Sequence, residues 1–243
     1  MIITPIKTRI FLEWENIIDF IFEYIPSLQD GDVLVITSKI IALAERRTFT
    51  AHTPEEKLEY IRAESSWYER TKYVHLTIHD RMPMANAGID ESNGNGKCIL
   101  LPHNSYSSAY EIWSQIRQKY HIRHLGIIIT DSRTIPFRNG TTGVSLWHMG
   151  FEGIRDYRGK VDIFGRPFHY ARTNVPDALA TSADHTMGEW DESQPLAIIS
   201  NPHVTYTEVR QNGDDLIIER EDDMYGPLFR WGVSEAELDK KID

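Results

Sequence analysis

Three short segments of this chain set acidic oxygens among small or hydroxyl-bearing neighbours. They are Ala85-Asn86-Ala87-Gly88-Ile89-Asp90-Glu91-Ser92-Asn93, Thr130-Asp131-Ser132-Arg133 and Met187-Gly188-Glu189. Carboxylates and hydroxyls are the donors that Mg²⁺ or Mn²⁺ prefers, and such a cation keeps waters and shares the phosphates of a substrate. Residue types alone leave a plainer alternative, in which Asp90 caps a turn, Asp131 caps the chain after a strand and Glu189 is solvated.

Other polar clusters carry less. Gly94-Asn95-Gly96-Lys97 is followed by Cys98 and has Glu91 five residues before Gly96, so it is a polar turn and not a Walker A loop. His75 with His79, and His121 with His124, have no cysteine or third ligand nearby in sequence, which speaks against zinc. Arg155-Asp156-Tyr157-Arg158-Gly159-Lys160 and Asp162-Ile163-Phe164-Gly165-Arg166 alternate acids and bases. On a solvated loop these are trivial surface pairs; in a site, the planar guanidinium fork would grip a carboxylate or phosphate with two hydrogen bonds. Cys98 lies in the apolar run Cys98-Ile99-Leu100-Leu101 and reads as a core thiol.

The whole chain bounds the partners. It has 243 residues, 41% of them apolar and 26% charged, with 26 Lys and Arg against 36 Asp and Glu, a net charge of −10. A chain so acidic is a poor binder of nucleic acid or of an anionic membrane surface, and an anionic substrate would need local positive help. No apolar run approaches the roughly 20 residues that span a bilayer, and Met1-Ile2-Ile3-Thr4-Pro5 lacks the pattern of a signal peptide, so a cytoplasmic location is expected.

The elements that must position these residues follow from periodicity. Apolar spacing predicts helices over Leu12–Ile25 and Ser107–Tyr120. Thr53-Pro54-Glu55-Glu56 predicts a capped helix running toward Arg70, Ser38-Lys39 opens another, and Ala178–Met187 is a helix whose small residues allow close approach. Val33–Thr37 and Leu125–Thr130 are continuous apolar runs, hence buried strands, with Asp131 at the carboxyl end of the second. Further strands are expected at Tyr73–Ile78 and Pro195–Ser200, with Val204–Val209 and Leu216–Glu219 forming a hairpin across Gln211-Asn212-Gly213-Asp214. Helices and strands mix without a strict βαβ rhythm, so the class is α+β with mixed sheets and packed helices. No linker or repeat divides the chain, which is treated as one unit over 1–243, and composition marks no boundary between lobes.

Taken in order, Gly31–Lys39, Ala85–Asn93 and Ile129–Ser132 resemble the γ-glutamyl ligases of the deazaflavin coenzyme F420. Gly140–Val144, Asp156-Tyr157-Arg158-Gly159, Asp162 with Gly165-Arg166, and Met187-Gly188-Glu189 continue the likeness over about residues 30 to 200. The resemblance implies a GTP-dependent ligase (ATP the other candidate) of α+β fold, an intertwined homodimer, using Mg²⁺ or Mn²⁺ to join L-glutamate to a small-molecule carboxylate acceptor through an amide. By match of position it makes Asp90, Asp131, Ser132 and Glu189 metal ligands, the last where the family usually has glutamine. Ser38, Lys39, Asn93, Met187 and Gly188 become nucleotide contacts. Asp131, Arg158 and Arg166 take catalytic roles, the arginines holding anionic groups of acceptor or glutamate.

Two positions depart from the pattern. Leu43 stands where the family often has a nucleotide-contacting lysine, and Thr4-Pro5-Ile6-Lys7 replaces a Gly-Leu-Pro-like opening. The acceptor is therefore open between the deazaflavin precursor and a folate-like molecule. A metal-dependent phosphohydrolase and a noncatalytic nucleotide- or metal-binding relative are the rival readings.

Overall fold

Val33-Leu34-Val35-Ile36 and Ile127-Ile128-Ile129 have no polar face, so each strand must be covered on both sides, and the fold is built around that need. The computed structural model describes residues 1–209 and 214–228. In chain order the elements are β1 (Ile2–Ile6), α1 (Ile17–Tyr24), β2 (Asp32–Thr37), α2 (Ser38–Ala44), β3 (Thr48–Phe49), α3 (Pro54–Ala63), β4 (Trp67–Arg70), β5 (His75–His79) and β6 (Met82–Ala85). They continue with β7 (Cys98–Ile99), α4 (Ser105–Tyr120), β8 (Leu125–Thr134), β9 (Thr141–Met149), β10 (Ile154–Asp156), β11 (Arg172–Asn174), α5 (Val175–Met187) and β12 (Leu196–Ser200). The class is α+β, as expected. No helix among the described residues is long and apolar enough to cross a membrane.

The central sheet has the order β1-β12-β2-β8-β9, with β2 and β8 parallel and the other pairs antiparallel. Because side chains alternate along a strand, Leu34, Ile36, Ile127 and Ile129 face one layer and pack with Ile21, Ile41, Ile112 and Ile116 of α1, α2 and α4. Val33, Val35 and Ile128 face the other and pack with Leu179, Ala180 and Ala183 of α5. A smaller cluster of Phe49, Ile61, Ile89, Cys98 and Leu100 sits under the β3–β7 pair, so Cys98 is core as read from sequence. Burial, with the nearby Glu91, pushes its thiol pKa up.

Four expectations about elements need correction. The first helix starts at Ile17 and not at Leu12, because the Asn16 side chain caps it by accepting from the Ile18 and Asp19 N–H groups, while Leu12 and Trp14 lie exposed in a preceding turn. The helix capped by Thr53 stops at Ala63, since the Ser66 N–H donates to the Ile78 carbonyl and Trp67–Arg70 pairs with β5. Strand β8 runs on to Thr134 past a register shift between Ile129 and Thr130, so Asp131 lies inside a bulged strand rather than after it. Val204–Val209 and Leu216–Glu219 are not strands: Tyr206 makes only an isolated bridge to Phe151, and Asp214–Leu216 is a 3-10 turn. The Gln211–Gly213 part of that turn lies outside the described residues.

Candidate active site

The pairing of the parallel strands β2 and β8 ends at Thr37 and Thr130, and the residues just beyond it in both segments wall a cavity of about 970 Å³ with the 90–97 loop and the carboxyl end of α5. Asp90, Asp131, Ser132 and Glu189, distant in sequence, all line it, as do Lys39, Asn93, Met187 and Gly188. Ser38 stands just behind the wall, buried, its hydroxyl bonded to the Asp131 carboxylate.

The 86–90 loop shows why small residues precede Asp90. Asn86, Ala87 and Gly88 have φ of +51°, +56° and +72°, three successive left-handed residues of which only the glycine is at ease. The strain is held by anchors: the Ala87 N–H donates to Thr77 Oγ1 at 2.8 Å and Asn86 Oδ1 accepts the His75 N–H at 2.9 Å. Asp90 is then fixed by a two-way backbone bridge to Ile99. Its carboxylate receives Lys39 Nζ at 2.6 Å and the Ser92 hydroxyl and N–H, each at 2.7 Å. Burial alone would raise its pKa, but Lys39 and Ser92 together hold it below the ordinary value.

Asp131 is the opposite case. The bulge in β8 turns it toward the cavity, and burial pushes its pKa up to about 6, against the Ser132 N–H at 2.8 Å and the Ser38 hydroxyl, while the charge on Asp90 adds to the rise.

Asp184, to which the sequence reading gave no role, joins them. Burial, and then the charge and hydrogen bond of Glu189, push its pKa up to about 7. The signal was present in the helix. Asp184 lies one turn before Gly188, on the face where α5 meets β9. That approach is so close that a Cβ on Gly143 would stand 2.7 Å from both the Ala180 carbonyl oxygen and Asp184 Cβ. Glu189 accepts from the Thr141 hydroxyl at 3.0 Å.

The nucleotide-side residues divide. Asn93 ties its loop to the segment after α5 by donating to the Trp190 carbonyl at 3.0 Å. Met187 is core, and Gly188 ends α5 at φ +83° with its N–H already given to the Asp184 carbonyl at 3.0 Å, so that N–H is not a free donor. Leu43 lines the cavity with its side chain against the first core layer.

Arg158 and Arg166 lie elsewhere, on an arm formed by β10, β11 and the loop between them; neither lines the cavity. Arg158 forks onto Asp156, with Nε at 2.9 Å and a terminal nitrogen at 2.6 Å, and holds the Asp156 pKa down to about 2.

Among the described residues no three His, Cys, Asp or Glu side chains close into a ready metal cage. The oxygens instead surround an open space, the arrangement suited to a hard cation that keeps waters and shares phosphates. Seven acidic and three basic side chains line the cavity among the described residues, so a polyanion entering it needs added positive charge.

The family model for F420-0:gamma-glutamyl ligase matches residues 5–201, beginning earlier than the resemblance seen in sequence and taking in most of the divergent opening segment. The chain is 34% identical over 191 residues to the coenzyme F420:L-glutamate ligase of Methanothermobacter thermautotrophicus, covering 71% of this chain and 75% of that one. It is 33% identical over 211 residues to the enzyme of the same name from Methanosarcina mazei, covering 79% and 82%. With that from Methanococcus maripaludis strain C6 the identity is 29% over 216 residues, covering 82% and 86%. The chain belongs to the F420-0:gamma-glutamyl ligase family and is an enzyme of the ligase class.

Proposed function

We propose that this protein adds L-glutamate to a carboxylate acceptor, driven by a nucleoside triphosphate, with GTP before ATP, through an acyl phosphate. The observation that carries this reading is the meeting of Asp90, Asp131, Ser132 and Glu189 in one cavity with Lys39 and Asn93. The acceptor is the deazaflavin precursor F420-0, the substrate class named in the family description, with a folate-like γ-carboxylate as the second candidate.

The donor set fits Mg²⁺ or Mn²⁺. Asp131 is a carboxyl group pushed toward its neutral form by burial, and a cation beside it would return the charge. Asp90, Asp131, Ser132 and Glu189 would hold the metal, with Asp184 behind Glu189. When bound, it supplies charge neutralisation for the triphosphate and for the oxygens of the transferring phosphoryl group.

The chain's own groups do the rest. Lys39, held against Asp90 and the Ser92 carbonyl oxygen at 2.9 Å, places an ammonium at the cavity wall where a phosphate oxygen can approach. The acceptor carboxylate attacks the γ-phosphorus and the nucleoside diphosphate leaves. The glutamate amine, having lost a proton, attacks the acyl carbonyl, and phosphate departs as the amide forms. Arg158 and Arg166 reach a cavity when a second copy lays its arm across it, which is the role of the intertwined homodimer. The exposed Ile163, Phe164 and Tyr170 of the arm support such a contact.

An assay with Mn²⁺, GTP or ATP, glutamate and either acceptor tests the reading. The expected product is heavier by one glutamyl unit, and phosphate release requires glutamate. Release at full rate without glutamate would make the protein a phosphohydrolase; no turnover with either acceptor would refute both substrates.

A further inference from the structure

Trp14 occupies a backbone position suited to glycine. In the turn Leu12–Glu15, closed by the Glu15 N–H donating to the Leu12 carbonyl at 3.3 Å, it is the third residue and has φ +80°. It is 62% exposed although it lines the cavity. A large indole in left-handed backbone and open to water is unfavourable on both counts, and such strain persists only where the surroundings over-determine it. Here they do. The Trp14 N–H donates to the Leu43 carbonyl at 3.4 Å, and the Arg46 N–H donates to the same oxygen at 3.1 Å. Arg46 is itself left-handed, at φ +61°, and its guanidinium carbon lies 3.5 Å from the centroid of the indole. Trp14 is part of the cavity wall and Arg46 is not, so the guanidinium covers one face of an indole that stands at the cavity's edge.

We propose that the indole of Trp14, backed by Arg46, is a stacking platform for the planar heterocycle of a substrate, either the base of the nucleotide or the ring system of the acceptor. Any such ring offers a π-face, and a guanidinium-backed indole is a rigid and sequence-tolerant surface for it. The proposal rests on the reading of this cavity as the ligase site and adds the group that holds the ring.

The test is a calorimetric titration of the full-length protein with GTP or inorganic tripolyphosphate, each in Mn²⁺, together with acceptor kinetics. Trp14→Gly relaxes the turn, so this variant should melt no lower than wild type. If the platform takes the base, GTP affinity in Trp14→Gly falls about tenfold while tripolyphosphate affinity is unchanged. If it takes the acceptor, GTP affinity is unchanged and the acceptor KM rises about tenfold. Trp14→Phe should restore most of whichever is lost. Retention of both GTP affinity and acceptor KM in Trp14→Gly overturns the platform and leaves the ligase reading standing, as does an equal loss for GTP and tripolyphosphate. If wild type binds neither, the ligase reading of the cavity fails and the platform with it.

Discussion

The cavity and the arm treat their charges in opposite ways. In the cavity Asp131 and Asp184 are held inside the protein with pKa values pushed up to about 6 and about 7 by burial and by neighbouring acids. On the arm Asp156 is exposed and paired, its pKa down to about 2 beside Arg158. The apolar groups are reversed too: Ile128, Val35 and Ala183 around the site are fully buried, whereas Ile163, Phe164 and Tyr170 on the arm are about nine-tenths exposed. One region thus keeps negative charge that lacks a counter-charge inside a rigid frame, and the other neutralises itself and leaves apolar surface uncovered. On the function proposed above, the cavity would receive a cation and the arm another surface.

The largest effect should come from removing the retained charge. Asp131→Asn is expected to lower turnover by at least about 100-fold, since a ligand change should exceed the cost of losing an outer-shell partner. It should also stabilise the metal-free protein at neutral pH. The folded-state pKa, about 6, lies above the ordinary 3.8, so between these values the folded chain keeps a proton that the unfolded chain releases. The contribution of this group to stability therefore falls as pH rises through that window, by at most about 3 kcal/mol. A variant that loses activity and melts higher without metal would mark Asp131 as a site carboxylate; one that melts lower would mark it as structural.

How much of this contrast was legible in sequence depended on locality. The unbroken apolar runs required a doubly covered sheet, and the acid-with-small-residue segments marked three of the cavity's walls before any geometry was known. Asp184 was missed because its role comes from Gly143, which lets α5 approach β9 across about 40 residues of chain. The start of α1 was missed because Leu12 and Trp14 fit a helical stripe, and only the turn that clasps Leu43 shows them outside it. Arg158 and Arg166 were read together with the cavity through resemblance, although one chain folded alone keeps them apart.

The arm gives the next largest effect. If the protein is the homodimer proposed above, replacing Ile163 and Phe164 together by Asp should convert it to monomers in sedimentation at micromolar concentration. It should reduce ligase turnover about tenfold while leaving Mn²⁺·GTP affinity unchanged, because the cavity is complete within one chain and the arm's arginines are not. Dimers that persist would show that the arm is not the interface.

The pH dependence of the metal-free protein separates the regions more finely. With two cavity acids raised, its melting temperature should decline between about pH 4 and pH 7, and saturating Mn²⁺ should flatten the decline. Asp131→Asn should remove the part below about pH 6 and leave the part due to Asp184. Arg158→Ala should change neither part, because Asp156 titrates near pH 2 and its exposed pair contributes little. A melting temperature that rises across pH 4 to 7 would contradict the assignment of both raised groups.

The smallest effect is expected at Leu43, the cavity position at which the resemblance led us to expect a lysine. Its side chain is half-buried against the first core layer and also touches the cavity. Leu43→Lys can keep the apolar contact with its methylene stem while the ammonium reaches into the cavity, so the stability cost should stay below about 1 kcal/mol. The Leu43 carbonyl, which accepts from Trp14 and Arg46, is backbone and unaffected. In a solvated cavity a new charge about 4 Å from a phosphate oxygen is worth about 1 kcal/mol, so triphosphate affinity should rise about fivefold, with the same gain for inorganic tripolyphosphate. Equal gains for both ligands would place Leu43 beside the phosphates. A gain for GTP alone would place it beside the base and Trp14, and no gain for either would remove position 43 from the nucleotide's path.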